Sequence, residues 1–320
     1  MNLSTSRRPL YLRLSVTERC NLRCMYCRTK NGPEFADRSN PISDEDILSL
    51  VTLVKSSLPV YKLRVTGGDP LLRPDLPYLI EKMRLLLPDT ELAATTNGLL
   101  LSRQAMDLRK AGLDSINISL DTIESSDFRD VSGGGVLSDV QEGIFKAKEA
   151  GFKKIKLNAV LLRSFNGDSL PELAMYANAL GCELRLIELM PIGVARNHFE
   201  KEYFSGHESL KKLSERLGDP FYLGLTGTAK RYMFIYEGQK IVIGLINTIS
   251  EPFCESCDRL RVDSRGWLYP CLHEYEGIDL LTMMRKGEID LAKQKILTAH
   301  MDKKSPVQEW TSRQMVRIGG

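Results

Sequence analysis

Seven cysteines are the residues of this chain whose types and spacing point most directly to chemistry. Their number is odd, and residues 1–16 are not expected to form a secretory signal, because Arg13 interrupts the apolar stretch. A disulfide framework is therefore not expected, and two tight groups of three favour two metal sites. The groups are Cys20, Cys24 and Cys27 near the N-terminus and Cys254, Cys257 and Cys271 near the C-terminus, with Cys182 standing alone.

The first group has the spacing Cys-x3-Cys-x2-Cys and directly follows a predicted strand over residues 10–16. Three thiolates at this spacing can hold three irons of a [4Fe–4S] cluster and leave the fourth iron open to a small molecule. A zinc site or three buried thiols are the alternatives. The turn Gly67-Gly68-Asp69-Pro70 follows the next strand, where its glycines permit close backbone approach and a carbonyl or the Asp69 carboxylate can accept from an ammonium.

The second group, Cys254-x2-Cys257-x13-Cys271, straddles a predicted hairpin. His273 follows two residues later, so a structural zinc site with mixed cysteine and histidine ligands competes with a second iron–sulfur cluster. The spacing alone does not separate the two interpretations.

Cations recur inside the predicted strands, where inward positions are usually apolar or catalytic. Alternation along a strand points Arg259 and Arg261 to the same side, beside the second cysteine group. A solvated, cross-strand-paired face would also explain them. Cations aimed at one cavity require an anion, however, and a triphosphate suits guanidinium forks and an ammonium. The other strand cations are Arg13, Arg64, Lys156 and Arg185.

Six predicted β-α units position these residues, and successive polar motifs lie at the ends of successive strands, as in barrel enzymes. The sequence therefore predicts an α/β fold, a partial (βα)6 TIM-like barrel over residues 1–205 closed by a smaller C-terminal α+β domain over residues 206–320. The predicted strands are 10–16, 62–66, 91–95, 115–119, 155–160 and 183–187, and the predicted helices between them are 44–57, 75–86, 103–111, 139–150 and 170–180.

Composition limits the classes of function. The chain has 320 residues, 42% hydrophobic residues and a formal net charge of +3, a globular balance without the basic excess typical of a nucleic-acid-binding surface. No apolar run approaches the ~18 residues of a membrane span. A cytoplasmic protein with no nucleic-acid or membrane partner is the expectation.

The segment RLSVTERCNLRCMYC, from Arg13 to Cys27, closely resembles the radical S-adenosylmethionine (SAM) enzymes. With the second cysteine group, the strand cations and the terminal Gly319-Gly320, nearly the whole chain is similar to one subfamily, the GTP 3′,8-cyclases of molybdenum cofactor (molybdopterin) biosynthesis. These lyases convert GTP to (8S)-3′,8-cyclo-7,8-dihydroguanosine 5′-triphosphate after a 5′-deoxyadenosyl radical removes the C3′ hydrogen.

The resemblance implies two [4Fe–4S] clusters, SAM as cofactor and GTP as substrate. It also implies a flavodoxin-like or ferredoxin-like electron donor, functional coupling to cyclic pyranopterin monophosphate synthase and a possible homodimer. The metal ligands would be Cys20, Cys24, Cys27, Cys254, Cys257 and Cys271; the SAM site Tyr26, Gly68, Ser119 and Met190; the GTP site Arg13, Arg64, Thr95, Lys156, Arg259, Leu260 and Arg261. No side chain of the protein is expected to act as the catalyst, since SAM supplies the radical.

This chain departs from the subfamily in two places. Arg28-Thr29 stands where Met-Pro is usual, and Asp69 stands where Glu is frequent. Two alternatives stay open, namely a peptide-modifying radical SAM enzyme with an auxiliary cluster and, in a different class, a zinc-binding interaction module.

Overall fold

A sheet of twelve strands runs through the part of the chain that the computed structural model describes, residues 8–28, 42–274 and 276–302. Thr29 and the Gly319-Gly320 tail lie outside these residues. None of the described helices has the length and apolar character that crossing a membrane requires. The strands are β1 (Leu10–Ser15), β2 (Val60–Thr66), β3 (Glu91–Thr96), β4 (Ser115–Ser119), β5 (Lys154–Leu161), β6 (Glu183–Glu188), β7 (Phe221–Thr226), β8 (Ala229–Tyr236), β9 (Gln239–Ile246), β10 (Arg259–Val262), β11 (Trp267–Tyr269) and β12 (Ile278–Asp279).

Helices alternate with the first six strands and then follow the last. The first begins where the sequence predicts, because the Ser43 hydroxyl accepts a hydrogen bond from the Asp46 amide at 3.1 Å. The helices are α1 (Asp44–Ser57), α2 (Leu76–Leu86), α3 (Leu101–Lys110), α4 (Ser125–Ser132), α5 (Leu137–Glu149), α6 (Leu170–Ala179), α7 (Arg196–Glu202), α8 (Gly206–Leu217), α9 (Leu280–Arg285) and α10 (Ile289–Met301).

The six β-α units form a parallel arc in which β1 to β6 pair in sequence order. This confirms the predicted α/β partial barrel. The C-terminal strands extend the same sheet, because β10 pairs in parallel with β1 and β9 pairs in parallel with β6. The sheet ends at β12 on one side and β7 on the other, so the barrel stays open. The domain division at residues 205 and 206 stays a prediction.

The two faces of the sheet differ in chemistry. Leu10, Leu12 and Leu14 of β1 are fully buried in the large apolar core between the sheet and the helices. Tyr11 and Arg13 alternate with them and therefore point to the opposite, concave face. The helices bury the apolar side chains on one face of the parallel strands. The side chains on the other face are therefore available for a polar site.

One buried carboxylate joins three segments at the end of β6. Glu188 is 1% exposed, and its side chain accepts hydrogen bonds from the amides of Gly206 at 2.8 Å, Ile249 at 2.7 Å and Ser250 at 2.9 Å. The Ser250 hydroxyl donates a fourth at 2.5 Å. Glu188 thereby ties β6 to the start of α8 and to the segment between β9 and the second cysteine group.

Replacing Glu188 with alanine is expected to lower the free energy of unfolding by about 3 kcal/mol, because three amides and one hydroxyl lose their buried acceptor. The exposed Glu200 provides the control, and Glu200→Ala is expected to change stability by about 0.5 kcal/mol or less. Urea unfolding of the anaerobically purified protein measures both, from the transition midpoint at unchanged slope. Equal stability of the two variants would contradict this role of Glu188.

Candidate active site

The first cysteine group lies in the loop that follows β1, at the carboxyl end of the parallel strands. Two backbone hydrogen bonds hold this loop against the end of α4, from the Arg23 amide to the Ser132 carbonyl at 2.9 Å and from the Met25 amide to the Val131 carbonyl at 3.0 Å. The sequence analysis did not predict α4. The last turn of α4 therefore helps to position the loop that carries the three cysteines.

The three thiols of this loop fit the ligands of an iron–sulfur cluster. None of the three is in a disulfide bond, and the Cys20 Sγ accepts from the Leu22 amide at 3.4 Å and from Asn97 Nδ2 at 3.8 Å. Such N–H donors stabilise a thiolate that binds metal. Burial raises the pKa of Cys20, and burial together with the neighbouring Cys27 raises that of Cys24. These thiols therefore need a bound cationic centre in order to ionise at neutral pH.

The described residues contain no group of three histidine, cysteine, aspartate or glutamate side chains that could hold one metal ion. A zinc site requires such convergence, whereas a four-iron cluster binds each cysteine through a different iron. The two interpretations therefore differ in the ligand spacing that they require.

Arg28 packs beneath the first group. Its side chain is buried, and Nη1 donates to the Cys20 carbonyl at 3.3 Å. The residue that departs from the subfamily pattern at this position therefore supports the backbone of the cysteine loop.

Gly67 and Gly68 bring the loop after β2 into direct contact with the cysteine loop. The Gly68 amide donates to the Thr17 carbonyl at 2.8 Å, and a Cβ on Gly68 would lie 2.1 Å from the Arg19 carbonyl oxygen. A Cβ on Gly67 would lie 2.5 Å from the Thr17 carbonyl oxygen. Neither position has room for a side chain, so the two glycines are required for this backbone contact.

The Asp69 carboxylate is committed to the protein itself. It is 2% exposed and accepts hydrogen bonds from the Leu71 amide at 2.9 Å, the Thr96 hydroxyl at 2.8 Å and the Asn97 amide at 2.6 Å. Burial, partly offset by these bonds, raises its pKa to about 6. The sequence offered two acceptors for an ammonium here, the Asp69 carboxylate and a backbone carbonyl. Because the carboxylate already accepts hydrogen bonds that connect the loops after β2 and β3, a backbone carbonyl is the better candidate.

Tyr26 is fixed by the ends of two further strands. Its hydroxyl donates to Asp121 Oδ2 at 2.7 Å, and the other oxygen of Asp121 accepts from the Val160 amide at 2.8 Å. Ser119 ends β4 nearby in the chain, and Met190 follows β6 and packs on a cluster that includes Tyr269 and Leu272. The four residues predicted for the SAM site thus all lie at the carboxyl side of the strands, the position at which barrel enzymes place their chemistry.

The concave face carries the strand cations. Register places Arg13 of β1 beside Arg64 of β2 and Arg261 of β10, and laterally paired residues point to the same face. Arg64 is 4% exposed and Arg261 is 8% exposed. This row is therefore enclosed rather than part of a solvated surface.

A second row crosses the next strands of the same face. Thr95 of β3 pairs with Asn117 of β4, and Asn117 pairs with Lys156 of β5. Arg64 connects the rows, since its Nη1 donates to Thr95 Oγ1 at 3.1 Å. Arg185 of β6 lies on this face too and donates from Nε to Glu183 Oε1 at 3.0 Å.

Burial and the neighbouring positive charges lower the pKa values of these cations. Burial and the neighbouring Arg261 lower the pKa of Arg13. Burial and Arg185 lower the pKa of Lys156 to about 8. An anion in this cavity would reverse both effects, so the arrangement is suited to bind one.

Leu260 differs from the other residues predicted for the GTP site. Its side chain is fully buried in the core on the helix side of the sheet, between Arg259 and Arg261, which point the other way. Only the backbone of Leu260 can therefore border the concave face.

The second cysteine group borders the same cavity. Cys254 and Cys257 flank a short turn in which the Cys257 amide donates to the Cys254 carbonyl at 3.1 Å. Cys257 and Cys271 lie close enough to Arg261 to raise its pKa, although burial and Arg259 lower that pKa to about 10 overall. Burial and Arg261 lower the pKa of His273 to about 4, which keeps this histidine neutral. Three cysteines outside any disulfide, beside a cation, fit a second cluster in their donor chemistry.

Three residues of the concave face were missed by the sequence analysis. Tyr11 and Lys62 lie two residues before Arg13 and Arg64, a spacing that indicates a shared face. Asn117 lies between Thr95 and Lys156, and its Oδ1 is buried with no hydrogen-bond partner within the described residues. In each case, the alternation of side chains along the strand could have placed the residue on the same face as a predicted site residue.

Comparisons with known proteins identify two matching family regions. The Radical SAM superfamily matches residues 14–177, and the Molybdenum Cofactor Synthesis C family matches residues 182–310. GTP 3′,8-cyclase of Limosilactobacillus fermentum is 38% identical over 84% of this chain and 81% of its own length. GTP 3′,8-cyclase of Desulforamulus reducens is 35% identical over 97% of both chains.

Solved structures show the same fold at low sequence identity. Streptococcus suis SuiB bound to its precursor peptide SuiA has a TM-score of 0.64 at 18% identity, over 86% of this chain and 64% of that longer chain. SuiB bound to S-adenosylmethionine has a TM-score of 0.60 at 17% identity, over 86% of this chain and 65% of that chain.

Proposed function

This chain belongs to the radical SAM superfamily and, within it, to the GTP 3′,8-cyclases, and from that membership we propose how its residues perform the cyclisation of GTP. The protein is a lyase of molybdenum cofactor biosynthesis that uses a [4Fe–4S] cluster and SAM. The observation that carries the residue assignments is the row of buried cations that starts beside the second cysteine group and crosses the concave face.

The SAM end of the cavity is formed by residues at the carboxyl ends of the strands. Cys20, Cys24 and Cys27 hold the cluster, and Gly68 presents backbone to the cofactor. When bound, the cluster and SAM supply the 5′-deoxyadenosyl radical that removes the C3′ hydrogen atom of GTP. Tyr26, Ser119 and Met190 complete the SAM site.

The cation rows hold the triphosphate of GTP. Guanidinium groups donate paired hydrogen bonds to phosphate oxygens, and an ammonium adds a point charge. The residues assigned to this role are Arg13, Arg64, Thr95, Lys156, Arg259, the backbone of Leu260, and Arg261.

Cys254, Cys257 and Cys271 are proposed to hold a second [4Fe–4S] cluster whose open iron binds the guanine. Arg261 supports this proposal, because it lies close to both Cys257 and Cys271 and also belongs to the first cation row. A nucleotide held by its base at one end and by its phosphates at the other has its ribose fixed between them. The protein would then contribute proximity and exclusion of water, because the radical chemistry belongs to the cofactor.

Partners are proposed on the same basis. The reaction needs one electron at low potential, which a flavodoxin-like or ferredoxin-like protein would deliver. The cyclised nucleotide would pass to cyclic pyranopterin monophosphate synthase. The peptide-modifying alternative is supported by the fold alone, since the SuiB structures are 17–18% identical to this chain.

A homodimer is proposed to form through the free edge of the sheet at β7. This strand has apolar side chains exposed on both faces, with Phe221 55%, Tyr222 56% and Leu225 66% exposed. An exposed apolar edge strand pairs readily with another strand, and a second copy of β7 would cover it.

The cysteine assignments predict that substitutions in the two groups abolish different steps of the reaction. Cys24→Ala is expected to abolish SAM cleavage, because the first cluster loses a ligand. Cys257→Ala is expected to retain SAM cleavage without forming cyclised nucleotide, and its iron content should fall from about eight to about four atoms per chain. Anaerobic incubation with GTP, SAM and a reductant, followed by product and iron analysis, measures these outcomes.

Cys182 provides the control for the cysteine variants, because it is buried in the helix-side core and belongs to neither group. Cys182→Ala should form product and retain about eight irons. Cyclised product from Cys257→Ala would refute the role of the second group, and a wild-type preparation that forms no product would refute the proposed function.

Replacing Arg259 or Arg261 with alanine is expected to weaken GTP binding about tenfold or more, since each removes a charge-assisted contact to phosphate. Lysine at either position should recover part of the loss. Arg285, which pairs with Asp46 on the outer surface, is the control. Calorimetric GTP affinity that equals that of Arg285→Ala in both variants would show that these arginines do not bind phosphate.

Leu225→Lys is expected to convert the proposed dimer to monomer, because a charge within an apolar strand pair opposes pairing. Met106→Lys, an equally drastic change on the exposed side of α3, should leave assembly unchanged. Anaerobic sedimentation velocity distinguishes the two. A dimer that persists in Leu225→Lys would exclude β7 as its interface.

A further inference from the structure

Tyr11 is the phenol at the centre of the cation rows, and neither the SAM site nor the cysteine groups use it. Its hydroxyl oxygen accepts a hydrogen bond from Arg64 Nε at 2.5 Å. The guanidinium carbon of Arg259 lies 5.4 Å from the centre of its ring, and Lys62 Nζ lies 5.6 Å from the same point. Cations on β2 and β10 thus contact one side chain on β1.

The groups around Tyr11 are predominantly cationic on every strand that packs against it. Arg13 shares its strand, Arg64 and Lys62 lie on β2, and Arg259 lies on β10. The carboxylates nearby have their own partners. Glu91 accepts from Lys62 at 2.9 Å, Asp258 accepts from the Tyr61 hydroxyl at 2.7 Å, and Glu183 on the far side of the cavity accepts from Arg185 at 3.0 Å.

These charges determine the protonation of the phenol. Burial alone would raise the pKa of Tyr11, but Arg64, Arg13, Arg259 and Lys62 together lower it to about 7. An ordinary tyrosine stays protonated until about pH 10. At neutral pH, Tyr11 is therefore divided between phenol and phenolate when no anion occupies the cavity.

We propose that Tyr11 is a positioning residue of the polyphosphate site that takes up a proton when the polyphosphate binds. In the anion-free cavity the phenolate supplies the negative charge that keeps Arg64, Arg259 and Lys62 together. When the polyphosphate arrives, it supplies that charge instead, and the phenolate oxygen binds one proton from solvent while still accepting from Arg64. No electron moves, and the substrate gains and loses nothing. The inference rests on the proposed function in identifying the anion as the triphosphate of GTP.

The sign of the resulting pH dependence follows from linkage. A polyphosphate offsets the surrounding cations and so raises the pKa of Tyr11 in the complex above about 7. Affinity contributed by this proton is fully present below the pKa of the free protein and falls as pH rises above it, by at most about tenfold per pH unit for one proton.

The test compares wild type with Tyr11→Phe, which keeps the ring and its cation contacts but has no proton to exchange. Tyr61→Phe is the matched control, because Tyr61 packs edge-to-face on Tyr11 at 6.3 Å but donates to Asp258 instead of contacting Arg64. The holoenzyme is titrated with GTP and, separately, with inorganic tripolyphosphate by calorimetry between pH 6 and pH 8.5. Buffers of different ionisation enthalpy give the number of protons taken up.

At pH 8 we expect wild type and Tyr61→Phe to take up close to one proton more than Tyr11→Phe with either ligand. The affinity ratio should also cross over. Tyr11→Phe should bind several-fold more weakly than wild type at pH 6, where the hydroxyl orients Arg64, and more tightly at pH 8.5, where the phenolate repels phosphate. Titration of the ligand's own phosphates is common to all three proteins and cancels in the comparison.

A direct spectroscopic measurement covers the case in which Tyr11→Phe folds poorly. Adding tripolyphosphate to wild type at pH 8 should diminish the near-ultraviolet absorption of tyrosinate by about one group per chain, the stoichiometry of single-proton linkage. Unchanged tyrosinate absorption, or equal proton uptake by wild type and Tyr11→Phe, overturns the role of Tyr11 and leaves the proposed function standing. Failure of the wild-type holoenzyme to bind either ligand overturns both.

Discussion

A sheet that is apolar on one face only is the constraint on which the rest of this structure depends. The helices cover the face that carries Leu12, Leu63 and Ile116, and the arc of parallel strands turns the other face inward. Alternate side chains of the parallel strands thereby point away from the core and into one cavity. An ordinary barrel fills that interior with branched apolar residues. Here arginine, lysine, asparagine and tyrosine occupy several of those positions, an arrangement suited to a charged ligand.

The sequence allowed much of this frame to be predicted, for reasons that are local. Helix α1 has the predicted bounds because its first turn is capped by Ser43 and its apolar residues recur at helical spacing. Strands with alternating leucine and arginine, such as β1 and β10, could be assigned from their period, and the cysteine spacing identified the loop chemistry. Helix α4 and strand β7 were not predicted. The first lacks a side-chain cap that would mark its start, and the second has exposed apolar residues on both faces instead of the usual alternation.

Other features could not be read from the sequence because they are contacts between distant segments. Asp69 was a candidate ammonium acceptor until the structure placed Thr96 and Asn97 against its carboxylate, 27 and 28 residues along the chain. Glu188 stands in a polar segment at the predicted end of β6, but the sequence does not show that it accepts hydrogen bonds from the amides of Gly206 and Ile249. The resemblance placed Leu260 among the residues that contact substrate, and only the register of β10 shows that its side chain lies in the core.

The two ends of the cavity differ, because the cation rows lie close to the second cysteine group. Arg261 lies in register with Arg13 and also beside Cys257 and Cys271, so the first cation row begins next to the second cysteine group. Met190 follows β6 and packs on Tyr269 and Leu272, which flank Cys271. Its neighbour Leu189 packs in a cluster with Tyr26, Cys24 and Cys27 of the first cysteine loop. The segment after β6 therefore contacts both cysteine loops. In the proposed complex a nucleotide would be held at both ends, and a fixed separation of those ends would orient one ribose hydrogen, out of several, toward the cofactor.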